Sequence, residues 1–139
     1  MRRGGGLRSS ELGAAENLSS RFFQSILNDD DLKQAYANAE CFVFPSQYEG
    51  FGIPILESFA CNCPLVCSNA SSLPEVAGDA AEYFDPLNTE EMSAQILKVI
   101  EDKDLRAKMR AAGRQRLNLF SWEKSVKEHL ECYRRILEN

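Results

Sequence analysis

Between residues 34 and 97 the chain has no lysine and no arginine. Nine acids fall in that span: Glu40, Glu49, Glu57, Glu75, Asp79, Glu82, Asp85, Glu90 and Glu91. All 16 basic residues lie in the flanks. A cation-free centre excludes a nucleic-acid surface there, because phosphate backbones are gripped mainly by Lys and Arg. No apolar run approaches the roughly 18 residues needed to cross a bilayer. The opening "MRRGGGLRSSEL" carries charge but no apolar core, so it does not read as a secretory signal.

Metal-ligating patterns are also scarce. The only histidine, His129, is far in sequence from the cysteines of the central segment. Cys61, Cys63 and Cys67 have the spacing C-x-C-x3-C, without a C-x-x-C pair. With Cys41 and Cys132 they make an odd total of five, set mostly in apolar segments, as expected of reduced thiols in a cytoplasmic compartment. They read as small hydrophobes rather than metal ligands. Asp29 and Asp31 have D-x-D spacing, for which acids complementing a helix N-terminus is the simpler explanation.

What is present fits one domain: 139 residues, 44% hydrophobic and 27% charged. Residues 1–20, rich in Gly and Ser, read as a disordered leader or added segment, leaving 21–139 as the domain. A weak strand is predicted over 22–27. Asn28 or an aspartate then caps a helix with Leu32, Ala35, Tyr36 and Ala39 on one face. "CFVFP" and "PLVCS" read as strands covered on both faces, and "AEYFD" as a fourth strand. A helix starts near Pro54 and ends near Asn62, and Pro74 begins a short helical turn. Asn88 with Glu91 forms a capping-box-like start, a second tail helix spans about 103–117, and Ser121 caps a third. In that third helix Trp122, Val126, Leu130, Tyr133 and Leu137 form an apolar stripe. Trp122, Tyr133 and Met109 are expected in the core, and His129 at the surface or between helices. Alternating strands and helices predict an α/β fold, a parallel sheet of about four strands with helices on both faces and a helical C-terminal tail.

Such sheets bind ligands beyond the carboxyl ends of their strands, which is where "PSQYEGFG" falls. Gly50 and Gly52 permit positive φ and close backbone approach. The helix N-terminus that follows favours an anion such as phosphate. Glu49 and Glu57 then flank a possible diphosphate cradle as acceptors for hydroxyl groups. Spacing leaves the alternative equally open, with Glu49 a solvated turn residue and Glu57 a first-turn helix acid.

The ordered set "FVFPSQYEGFGIPILESFACNCPLVCSNASSLPEVAGDAAEYFDP", followed by "FSWEK", resembles the donor-binding half of the family 4 retaining glycosyltransferases. These have the two-domain GT-B architecture, of which this chain looks like an incomplete Rossmann-like half. The likeness runs from about Arg21 to the end. Glu49 and Glu57 match the family's E-x7-E motif. The resemblance implies sugar transfer from a nucleotide-sugar donor to an acceptor hydroxyl (of a sugar, a lipid-linked sugar or a polysaccharide) with retained configuration. It implies Glu49 as the catalytic residue, holding hydroxyls of the donor sugar near the reacting carbon. The backbone around Gly50, Phe51, Gly52 and Ile53 would meet sugar and phosphate, Glu57 the ribose, and Leu27 the base. No metal and no cofactor beyond the donor are implied, and the location is cytoplasmic or, for a full-length enzyme, peripheral to the membrane. The chain departs from the family in lacking the acceptor domain and the segment whose Arg and Lys neutralise the donor diphosphate. It therefore reads as a fragment inactive alone, with self-association through uncovered faces. The competing reading is a non-catalytic module for nucleotide-sugar binding or partner pairing.

Overall fold

The computed structural model describes residues 23–138; the expected leader lies outside them. Phe23 to Leu27, most of the predicted first strand, form neither strand nor helix and are exposed. Among the described residues the sheet therefore has three strands rather than about four: β1 (Phe42–Phe44), β2 (Leu65–Ser68) and β3 (Ala81–Phe84), all parallel, with β2 in the middle. Residues 23–27 carry no period-two pattern that would bury one face, so nothing draws them into the ladder.

The helices are α1 (Asp29–Asn38), α2 (Ile53–Ala60), α3 (Leu73–Ala77), α4 (Thr89–Glu101), α5 (Lys103–Leu117) and α6 (Trp122–Leu137). Their starts follow local chemistry. The side chains of Asn28, Asn88, Asp102 and Ser121 each accept a hydrogen bond from the amide three residues on. Pro54 and Pro74 sit in first turns, where no amide donor is missed. Asn62, in the left-handed region at φ 56°, ends α2. The start of α4 is only half a capping box, because the Glu91 carboxylate turns to the Asp85 amide.

All four β2 residues are buried, whereas β1, at an edge of the described sheet, is only partly buried, with Phe42 and Phe44 packed on one face and Val43 on the other. Alternation along β2 builds two cores. Leu65 and Cys67 face Ile55, Phe59, Leu73, Val76, Ala77 and Ala80 of α2, α3 and the turn after α3. Val66 faces the opposite way, with Phe84, Val99 and Met109. Helices thus cover both faces. Each large side chain buried in this way contributes about 1.5–3 kcal/mol.

Helix α5 ties the layers together. A Cβ on Gly113 would lie 2.8 Å from the Phe59 ring, so glycine there lets α5 pack directly on α2. Arg106, 7% exposed, pairs with Glu40 at 3.2 Å and donates to the carbonyls of Val99 and Ile100 at the end of α4. Helix α6 is different. No residue in it is buried, and Trp122 (79% exposed) and Tyr133 (59%) lie outside the core that was expected to hold them. Met109 is in the core as expected, and His129 is at the surface.

Candidate donor-binding site

The register aligns Phe44 with Cys67, so the loops leaving β1 (residues 45–52) and β2 (residues 69–72) emerge side by side. Three serine hydroxyls join them, and a fourth acts within the first loop. The buried Ser68 hydroxyl donates to the Ser46 carbonyl. Ser71 and Ser72 donate to the Glu49 carbonyl at 2.7 and 2.9 Å, and Ser72 also reaches the Phe51 carbonyl at 3.0 Å. Ser46 donates to Glu49 Oε1 at 3.0 Å. The backbone and carboxylate of Glu49 are therefore both fixed, the latter in a half-buried position.

Gly52 is the pivot. Its φ is 101°, and a Cβ would meet Leu73 Cδ2 at 2.8 Å and Ile55 Cδ1 at 3.2 Å. Glycine is thus required for both conformation and space. Gly50 differs from expectation: its φ is not positive and open space surrounds it. No backbone acceptor within the described residues takes the amides of Gly50, Phe51 and Gly52. These donors lie at the positive end of α2. Phe51 is partly exposed and packs edge-on against Phe120, with ring centroids 5.7 Å apart. Ile53 is half-exposed on the first turn.

Glu57 lies one turn further along α2 and is exposed. Its Oε2 accepts from the Tyr36 hydroxyl of α1 at 3.3 Å. The two glutamates thus have separate neighbours, Glu49 the loop after β2 and Glu57 helix α1. They share no hydrogen bond and do not form an acid pair. Leu27, also partly exposed, immediately precedes the α1 cap. Asp31 is bound to that cap, its amide and carboxylate both engaged by Asn28.

The arginines of the C-terminal flank point to other places. Arg110 and Arg114 bind the carbonyl and side chain of Asn62, at the far end of α2. Arg116 binds the Val76 and Glu75 carbonyls at the end of α3 and stacks over Phe120. These cations complement helix C-termini. Burial pushes the Cys63 thiol up to about 11 and the Cys67 thiol up to about 12, so both are inert neutral groups. Among the described residues no cluster of three His, Cys, Asp or Glu side chains could hold a metal ion. No described helix is long and apolar enough to cross a membrane.

The contributions of Ser46, Ser71, Ser72 and Tyr36 were not anticipated from sequence. The run of hydroxyls directly after a strand in "SNASSL" was the available signal, since neighbouring parallel strands bring such loops together.

Comparison with known proteins gives a consistent set. Residues 8–116 match the family described as glycosyl transferases group 1. The chain is 45% identical over 106 residues to the O-antigen chain mannosyltransferase B of Escherichia coli, covering 76% of this chain and 28% of that protein. It superimposes on sucrose-phosphate synthase from Thermosynechococcus elongatus with a TM-score of 0.79 at 25% identity, covering 93% of this chain and 33% of the other. A glycosyltransferase from Rickettsia africae gives 0.73 at 26% identity, with 91% and 35% covered. The chain thus spans about a third or less of the length of each of these relatives.

Proposed function

Given that the chain belongs to the glycosyl transferases group 1 family, whose architecture is GT-B, we propose that it is the donor-binding portion of a retaining glycosyltransferase. The observation that carries this reading is the serine-fixed loop at the start of α2, with Glu49 anchored on one side and Glu57 presented one turn on. The unpaired amides of residues 50–52 would meet the phosphate next to the sugar, replacing its water shell with fixed donors. Glu49, its carboxylate held by Ser46, would accept hydroxyls of the donor sugar beside the reacting carbon. Glu57 would take the ribose diol, with Leu27 at the base and Phe51 and Ile53 lining the sugar side. The donor is a nucleotide sugar, and mannose is the first sugar to test, because the 45%-identical relative is named a mannosyltransferase. The acceptor is a sugar, lipid-linked sugar or polysaccharide hydroxyl. The scheme of two carboxylates flanking one bond, used by retaining glycosidases, does not suit glutamates with such different surroundings.

Neutralising a diphosphate requires cations, and Arg110, Arg114 and Arg116 are bound to carbonyl oxygens elsewhere. Developing charge on the leaving group would go uncompensated. This supports the reading that the chain alone is inactive and binds donor weakly, with the missing positive charge supplied by further polypeptide. The test is sugar transfer from nucleotide mannose and nucleotide glucose by the purified chain and by a longer polypeptide containing it. Activity only in the longer form is expected, with Glu49→Ala reducing turnover by 100-fold or more, roughly the loss of one well-placed electrostatic group. Transfer by the isolated chain, or full turnover without Glu49, would refute the assignment.

A second reading, a module that pairs with another chain, is favoured by the uncovered stripe of α6. Light scattering separates the two: a strictly monomeric species at high concentration removes self-association.

A further inference from the structure

Tyr36 is the single buried residue of α1, 8% exposed, and its ring stands edge-on to Phe42 with centroids 5.1 Å apart. Its hydroxyl is directed out of this packing toward Glu57 Oε2 at 3.3 Å. We infer that Tyr36 is a positioning residue for Glu57, holding one carboxylate oxygen so that the other is presented to the ribose hydroxyls of the donor. The inference rests on the reading of Glu57 as the ribose-binding acid and adds what orients it.

The chemistry follows from the inventory of donors and acceptors. A tyrosine hydroxyl supplies one proton, and an ionised carboxylate has about four acceptor directions. Engaging Oε2 from the α1 side leaves Oε1, with one remaining lone pair on Oε2, for a vicinal diol. Glu57 is exposed and on a helix surface, so without this contact its side chain would sample several rotamers. Tyr36 itself is well fixed, by burial and by the ring of Phe42. Desolvation, reinforced by the adjacent Glu57 charge, pushes its pKa up to about 12, so the hydroxyl keeps its proton and stays a donor across any physiological pH. The same contact ties α1, which follows Leu27, to α2, so the two proposed nucleotide contacts are held in fixed relation.

A merely structural tyrosine would satisfy its hydroxyl on the nearest acceptor without affecting ligand choice. The two roles separate in a binding experiment on the full chain. Guanosine and uridine 5′-diphosphates, each with its 2′,3′-dideoxy analogue, are titrated and followed by NMR. Wild type is expected to prefer the ribose form by about tenfold, the scale of hydrogen bonds to a charged group. Tyr36→Phe should cut that preference several-fold while leaving the dideoxy affinity unchanged. Glu57→Gln should reduce it similarly, and adding Tyr36→Phe to Glu57→Gln should do nothing more. Equal weakening of ribose and dideoxy forms by Tyr36→Phe overturns the inference alone, as does a preference that Tyr36→Phe leaves intact. A wild type that does not distinguish the two forms removes the ribose reading and the inference with it.

Discussion

Helices α5 and α6 are neighbours in sequence and nearly equal in length, yet they relate to the rest of the molecule in opposite ways. Helix α5 has a highly charged sequence and nevertheless buries Arg106, Met109 and Gly113, touching both cores. Helix α6 has the more regular apolar stripe and buries nothing. Both are capped at their first residue by an acceptor side chain, Asp102 and Ser121. Capping and periodicity therefore account for the existence of a helix in each case. Burial depends instead on small or specific residues that fit a neighbour, such as Gly113 under Phe59. An apolar stripe registers that a helix needs cover and is silent on which surface provides it.

The contrast can be broken in three ways. The largest effect is expected in thiol labelling. Cys132 on exposed α6 should react with a maleimide as a free thiol does. Cys67, buried in β2 with its pKa raised, should react only through unfolding, slower by about a thousandfold or more for a domain stable by roughly 5 kcal/mol. Comparable rates would mean that the central strand opens readily. Next, Met109→Ala should destabilise the chain by about 2–5 kcal/mol in urea denaturation, the cost of emptying a packed site. The smallest change is expected for Leu130→Ala, within about 0.5 kcal/mol for the monomer. If Leu130→Ala costs as much as Met109→Ala, α6 is covered in solution and the contrast fails.

Much of the fold was legible because its signals are local. Caps at Asn28, Asn88 and Ser121, prolines in first turns and the apolar runs of β1 to β3 are written in a few adjacent residues each. The predicted strand over 22–27 failed because those residues carry no pattern that needs a sheet. Trp122 and Tyr133 were misplaced because periodicity cannot name a partner. In the candidate site, Gly52, Glu49 and Glu57 stand out from sequence, since a glycine-rich turn before a helix is itself a local feature. Gly50 was over-read, its position needing no glycine. The supports of the site come from 21 to 23 positions away along the chain, Tyr36 on one side and Ser71 and Ser72 on the other. Only the parallel register of β1 and β2 brings the serines to Glu49, and only the packing of α1 on α2 brings Tyr36 to Glu57.

The short first strand has a consequence for how the molecule behaves when crowded. Among the described residues β1 pairs on one side only, and it is three residues long. An incoming strand from another molecule would gain at most a few main-chain hydrogen bonds before running into the loop that holds Glu49. Growth of ordered aggregates by edge-to-edge templating needs a longer, flatter rail than this. The short edge at β1 thus limits extension of the sheet on that side, and templated growth there should be poor.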